Sequence, residues 1–256
     1  MKSRYFFEFM DQDWLLSSLR DCTRDLLRMC NDRPFRSYNS WVGTQTLETS
    51  KKENLYNIVE LGAGTAPVTR KLVPNLLNSN PNTIKLIPSD MYPDELVFKQ
   101  LKKQYQGIVW PIFDKTDFSQ PMELPDNSAA ILSVAFHHIP FEQRLKTIEN
   151  MTNSAEKVVV FEGLRRTLPS MLFCCLSPIA SIIAPIYHIN KPGRLRRFLW
   201  CWFVPVAPIM FVWDGWVSCL RAWTRKEWQQ ALDSLGYDYE IKETLISQMV
   251  SWSKKK

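Results

Sequence analysis

A chain of 256 residues with 45% hydrophobic side chains has room for one good-sized domain and an insertion, with ample material for a core. Its formal charge of +6 would suit a nucleic-acid binder, but Lys191, Arg194, Arg196 and Arg197 in one loop and Lys254, Lys255 and Lys256 at the tail account for the whole excess. Six cysteines without any Cys-x-x-Cys or other paired spacing argue against a metal ribbon and a disulfide framework, and predict free thiols in a reducing compartment.

Met1 to Asp11 hold too short an apolar run and too many acids for a signal peptide, so synthesis in the cytoplasm is expected. From Asp13, the residues Leu15, Leu19, Cys22, Leu26 and Cys30 recur at helical intervals, and Pro34 marks a stop. The stretch from Pro34 to Asn54 is polar and turn-rich and reads as a connection into the core.

The informative stretch is Asn57 to Leu72. Ile58 and Val59 end an apolar strand, Glu60 follows, then Gly62 and Gly64, then a helix with Pro67 in its first turn, where a missing N–H costs nothing. Glycines allow unusual backbone angles and let a ligand lie against the main chain, while the helix start offers unpaired N–H donors. A dinucleotide fingerprint needs a third glycine after two further residues, and Pro67 stands there, so nicotinamide cofactors are disfavoured. The arrangement Glu60-x-Gly62-x-Gly64-x-Ala66 instead resembles the first motif of class I S-adenosyl-L-methionine (SAM) methyltransferases, with Ala66 in place of the last glycine. That resemblance implies that Glu60 faces the cationic methionine part of the cofactor and that Leu61, Gly62, Ala63 and Gly64 lie along it. It also implies a substrate lid for the N-terminal helix, whose plainer role is packing on the core.

Thr83 to Ile87 reads as a second strand leading to Asp90, with Met91 beside it. An acid at the tip of the second parallel strand can hold a ribose through two acceptor oxygens. Asp94 competes for that role, but Pro93 ahead of it signals a helix start, which explains an acid without a ligand. Gly107 to Phe113 reads as a third strand closing on Asp114-Lys115-Thr116-Asp117. The resemblance places Asp114, with Lys115 next to it, at the adenine amino group, Asp117 being the fallback.

A fourth strand, Ala129 to Ala135, runs into Phe136-His137-His138-Ile139-Pro140. Adjacent residues at a strand end point to opposite faces, and only His188 remains elsewhere, so no metal site is expected. Either His137 or His138 could serve as a general base, the other being structural. The Asn/Asp-Pro-Pro-Tyr/Phe signature of amine methylation is absent here. A helix from Phe141 to Met151 precedes the fifth strand, Lys157 to Phe161, which ends in Glu162. Glu162 lies at the same carboxyl edge, where it could bind or deprotonate substrate, or simply pair with Arg165 or Arg166.

Thr167 to Asn190 carries no charged residue, a basic loop follows, and Phe198 to Trp213 is again uncharged. This is an insertion. Thr224 to Glu227 forms a capping box for a helix stopped by Gly236, then Tyr237 to Lys242 alternates as a strand, and Gln248 to Trp252 is a last short one. Phe136 to Pro140 and Trp213 to Arg221 are similar to the Phe-His-His-x-x-Pro and Trp-Asp-Gly-x-Val-Ser-x-Leu-Arg stretches of one group of class I methyltransferase-like proteins. The expected α/β fold is a Rossmann-like sheet of seven strands, six parallel and the last antiparallel. It is divided into an N-terminal helical extension (1–54), a SAM-binding core (55–164), a hydrophobic helical insertion (165–221) and the rest of the core (222–256).

The function so implied is SAM-dependent methylation of a small, hydrophobic or membrane-associated acceptor. The alternative is a SAM-binding or partner-binding protein that uses its insertion for docking. Nucleic acid is not the expected partner, because no aromatic-basic stripe accompanies the basic loop. Each apolar half of 167–213 approaches a membrane span in length, but the basic loop between them and the prolines at 169, 178, 185, 205 and 208 disfavour a crossing hairpin. The insertion is expected to lie in the membrane interface, with tryptophans at headgroup depth and the basic loop on anionic lipid.

Overall fold

The computed structural model describes residues 6–32, 36–77, 84–187, 189–190 and 192–255. The expected helix stop at Pro34, the strand start at Thr83, and His188, Lys191 and Lys256 lie outside them. The strands are β1 (Asn57–Leu61), β2 (Lys85–Ser89), β3 (Ser128–Ser133), β4 (Lys157–Glu162), β5 (Tyr237–Glu243) and β6 (Gln248–Lys254). The helices are α1 (Ser17–Asp32), α2 (Arg36–Lys52), α3 (Pro67–Leu77), α4 (Glu95–Gln104), α5 (Arg144–Ser154), α6 (Leu168–Cys174), α7 (Ser177–Tyr187), α8 (Arg194–Phe198), α9 (Val206–Arg221) and α10 (Arg225–Leu235). Two compact units result: Ser37–Gly163 with Trp223–Lys256, and Met1–Arg36 with Leu164–Ala222.

The larger unit is built on one sheet of order β2-β1-β3-β4-β6-β5, in which β1 to β4 are parallel and β6 runs against both its neighbours. Its inner strands are apolar on both faces because helices cover both. One layer sets Val68, Leu72 and Leu76 of α3 and Phe98 of α4 on Ile58, Leu86 and Ile131. The opposite layer sets Ile148 and Met151 of α5 and Trp228 and Leu232 of α10 on Val59, Val160 and Trp252. Trp228 lies 4.5 Å from Phe136, 4.9 Å from Trp223 and 5.8 Å from Trp252, ring centre to ring centre, so one aromatic stack runs through this layer.

Two expectations need correction. The expected third strand, 107–113, is reduced to a single bridge between Leu86 and Val109, which leaves six strands. It still runs parallel beside β2, with Leu86 donating to Ile108, Trp110 donating to Leu86 and Ile112 donating to Pro88. The rung that Pro88 would donate to Trp110 cannot form, because proline has no N–H, and Pro111 faces it. The stretch read as a connection, 34–54, contains α2. Its buried face is made of Asn39, Val42, Thr46, Leu47 and Ser50, so the helical period is written partly in polar residues. Gly43 lets α2 pass close to α3, since a Cβ there would sit 3.3 Å from Leu72.

The smaller unit joins α1 to the insertion, so the 1–54 segment is divided between the two units. Leu19, Cys22 and Leu26 of α1 pack with Ala184 of α7, Cys201, and Ala207 and Met210 of α9. Leu199–Phe203 forms a π-helical turn after α8. Asp214 accepts from the backbone N–H groups of Phe9 (2.7 Å) and Met10 (3.2 Å), which fastens the N-terminal segment to α9. The six cysteines are free, and four face each other across helices, Cys22 with Cys201 at 3.7 Å and Cys174 with Cys219 at 3.8 Å between sulfurs.

Candidate active site

The glycine turn leaves β1 through three left-handed residues, Gly62 (φ 63°), Gly64 (φ 53°) and Ala66 (φ 51°), before Pro67 opens α3. Ala66 stands in place of the last glycine of the methyltransferase motif, and its Cβ makes the left-handed angle cost about 1–2 kcal/mol. Gly62 and Gly64 serve different ends. A Cβ at Gly62 would lie 3.2 Å from that of Ala135 and 3.4 Å from Phe118, so this glycine lets the turn touch the chain after β3. A Cβ at Gly64 would meet nothing within 4 Å, so this glycine borders open space.

Asp90, at the tip of β2, closes the turn from the other side. Its Oδ2 accepts from the N–H of Gly64 and its Oδ1 from that of Tyr92, each at 2.7 Å. Ala63 donates to the Ser89 carbonyl at 2.9 Å, and Thr116 donates to the Asp90 carbonyl at 3.0 Å, bringing the Asp114 loop alongside. Asp114 and Lys115 are exposed, Lys115 lying 5.8 Å over the Tyr92 ring, and Met91 is exposed as well. Leu61 and Ala63 are buried, so they offer only backbone. The competitors have local work: Asp94 caps α4 by accepting from Val97, and Asp117 accepts from the N–H and hydroxyl of Ser119.

Glu60 departs from its expected orientation. It is 2% exposed, and its two oxygens accept from the N–H groups of Val68 (3.1 Å) and Thr69 (2.8 Å) and from the Thr69 hydroxyl (2.6 Å). Both oxygens are thus spent on the first turn of α3, whose orphan donors need acceptors. Burial pushes this carboxyl up to about 7 in spite of those bonds.

Past β3 the chain turns at Val134, a β-branched residue at φ 55°, and enters a 3-10 turn over Phe136–His138. The expectation that the two histidines face opposite ways fails, because the chain has left the strand for a helical turn; their rings lie side by side and differ in burial. His137 is 4% exposed, its Nδ1 is 2.7 Å from Glu162 Oε2, and its N–H donates to Glu162 Oε1 at 3.1 Å. His138 is exposed and stacks on it at 4.3 Å. Arg144 donates to the His137 carbonyl (3.1 Å) and the Ile139 carbonyl (3.0 Å), pinning the turn. Glu162 therefore pairs with His137, and the sequence offered no way to see this across 25 residues. Tyr38, on α2, is a further group near Glu162. Burial raises its phenol above the ordinary range, and the Glu162 charge adds to the rise.

All of these groups follow the carboxyl ends of parallel strands: the glycines after β1, Asp90 after β2, His137 after β3 and Glu162 at the end of β4. This is the edge at which open α/β sheets bind ligands. The chain matches no protein-family model and no curated protein. Among solved structures it is similar to the plantazolicin methyltransferase BpumL in complex with SAH (11% identity, 96% of this chain and 94% of that one, TM-score 0.57). It is also similar to human N-acetylserotonin methyltransferase in complex with SAM (15% identity, 84% of this chain, TM-score 0.51), of whose chain it spans about half, 52%. A third is the methyltransferase domain of bacterial CtHen1-C (13% identity, 86% and 99%, TM-score 0.52). The chain has the class I methyltransferase fold.

Proposed function

We propose that this protein is a SAM-dependent methyltransferase whose acceptor is small, lipid-soluble and loses a proton on methylation, and that it works at the cytoplasmic surface of a membrane. The observation that carries the reading is the left-handed turn at Gly64, open on one side and fastened to Asp90 on the other, on the same strand edge as the His137–Glu162 pair. The residues present fit SAM: Gly64 leaves room for a ligand against the main chain, Asp90 and the exposed Asp114 offer carboxylates for a ribose and an amino group, and Leu61 and Ala63 contribute backbone. When bound, SAM supplies a methyl group activated on a sulfonium. Glu60 supports α3 from below through its bonds to Val68 and Thr69.

The chain's own chemical task is the acceptor's proton. With Nδ1–H donated to Glu162, the imidazole presents Nε2 as its basic nitrogen, the arrangement by which a carboxylate fixes a histidine's tautomer. His137 is therefore the base and Glu162 the group that orients it, while exposed His138 is not needed for this step. The small acceptor is supported by the neighbour named for N-acetylserotonin and by the uncharged stretches of 167–213.

Calorimetry with SAM, followed by transfer of labelled methyl to a lipid-soluble extract, tests the reading. His137→Asn should lower turnover about 100-fold or more and flatten the acid limb of the pH–rate profile, with SAM affinity unchanged. A protein that does not bind SAM refutes the proposal, and full turnover in the His137 variant refutes the base.

A further inference from the structure

In the smaller unit, α6 and α7 together run from Leu168 to Tyr187, 20 residues whose most apolar stretch has a mean hydropathy of 1.8, yet only 28% of that stretch is buried. The pattern of burial is inverted. Leu168, Leu172, Leu176, Ile179, Ile183 and Ile186 follow one another at helical steps and are all exposed, between 48% and 68%. The face turned inward carries Ser170, Cys174, Ser181, Ala184 and Pro185. A helix packed in water keeps its large apolar side chains inside and its small or polar ones outside. Helices that pack in lipid meet through small residues and point their leucines and isoleucines outward. The contact of α6 with α9 has that character, since a Cβ on Gly215 would stand 2.9 Å from the Cys174 sulfur.

The polar groups next to the face are turned away from it. The indole N–H of Trp202 donates to the Ile182 carbonyl (3.0 Å) and that of Trp216 to the Met171 carbonyl (3.0 Å), which leaves carbon toward the outside. Protein interfaces of ordinary size carry several hydrogen bonds and a polar rim, and this stripe of leucines and isoleucines offers no side-chain donor or acceptor. Two arginines of the basic loop are committed elsewhere, while Arg194 is exposed. Arg196 pairs with Asp21 (3.3 Å) and Asp25 (3.0 Å), and Arg197, 1% exposed, pairs with Asp25 (2.6 Å).

We propose that the leucine–isoleucine face of α6 and α7 lies in the hydrocarbon of one bilayer leaflet, and that apolar burial rather than the basic loop holds the protein there. The helix lies along the leaflet and does not cross it, because α1, which packs on α7 through Leu19, Cys22 and Leu26, carries Asp21 and Arg24 on its outer side and must stay wet. The inference rests on the reading above only for the membrane-surface location, and nothing in it depends on the cofactor site.

The test is flotation of the full chain with neutral phosphatidylcholine vesicles and with vesicles containing phosphatidylserine, each at low and high salt. A fluorophore on the exposed Cys175 serves as reporter. Binding to neutral vesicles, with a blue shift of the Cys175 probe and little loss at high salt, is expected. Leu172→Lys and Ile183→Lys, exposed and so harmless to folding, should each cut partitioning about ten-fold or more. Binding only to anionic vesicles that high salt abolishes overturns the proposal. So does concentration-dependent self-association, removed by the same variants, without vesicle binding, which assigns the face to a second copy. Calorimetry with SAM on the same samples separates the two readings: SAM binding without vesicle binding sinks this one and the membrane location but leaves the methyltransferase, and the reverse sinks only the methyltransferase.

Discussion

Replacing Asp90 by Asn removes a charge and little else in shape, yet it should be costly. Both oxygens of Asp90 accept from backbone N–H groups at 2.7 Å, Oδ2 from Gly64 and Oδ1 from Tyr92. An asparagine has one acceptor oxygen, so its NH2 group must face one of those two donors whichever way it is turned. One charge-assisted bond is lost and a donor meets a donor, together worth about 1.5–3 kcal/mol. Part of that loss appears as lower stability. The rest falls on the ligand, because a neutral side chain is a poorer acceptor for ribose hydroxyls and, in one amide orientation, the displaced N–H is that of Gly64. SAM affinity should fall about ten-fold to a hundred-fold. Asp94→Ala is the control, since it removes the α4 cap, costs about 1 kcal/mol of stability and leaves SAM affinity alone. Titration calorimetry with SAM and thermal melts of both variants give the comparison. Unchanged affinity in a folded Asp90→Asn protein, or an equal loss in Asp94→Ala, would refute the assignment of this edge to the cofactor.

The two glycines should respond differently to alanine. Gly64→Ala meets no neighbour and should cost only the left-handed strain, about 1 kcal/mol, while weakening SAM far more than stability, whereas Gly62→Ala presses on Ala135 and should lower the melting temperature first. Glu60 predicts a pH slope. Its folded value of about 7 lies above the ordinary 4.5, so the folded state keeps a proton that the unfolded chain releases; the stability this contributes is complete below 4.5, declines as pH rises to about 7, and amounts to about 3 kcal/mol. Denaturant titrations across that window should show the decline in the parent and a flatter profile in Glu60→Gln, and parallel profiles would contradict the burial argument.

What could be read from the residues was the part whose chemistry is local. Gly62, Gly64 and Pro67 announce a strand, a turn and a helix within one short stretch, and the acids at strand tips follow from the parallel topology. The Thr224 capping box and the Gly236 stop are likewise local, and both are present. What could not be read depended on partners far along the chain. The inner face of α2 uses Asn39, Thr46 and Ser50, whose burial only the neighbouring layer can justify. Which of His137 and His138 meets a carboxylate depends on Glu162, a strand away. Glu60 has the residue type the cofactor motif requires, but its bonds to the N–H groups of Val68 and Thr69 depend on how α3 is set against β1. Arg196 and Arg197 look like free surface charge until α1 supplies Asp21 and Asp25.

The aromatic stack around Trp228 has an optical consequence. Indole rings 4.9 and 5.8 Å apart couple their electronic transitions, so Trp223, Trp228 and Trp252 should give the larger unit a circular-dichroism band that none of them would show alone. Phe136, 4.5 Å from Trp228, is the residue immediately before His137. A disturbance of the turn that carries the imidazole must therefore move a ring packed against the coupled set, and the band becomes a gauge of that turn's geometry in the absence of any acceptor.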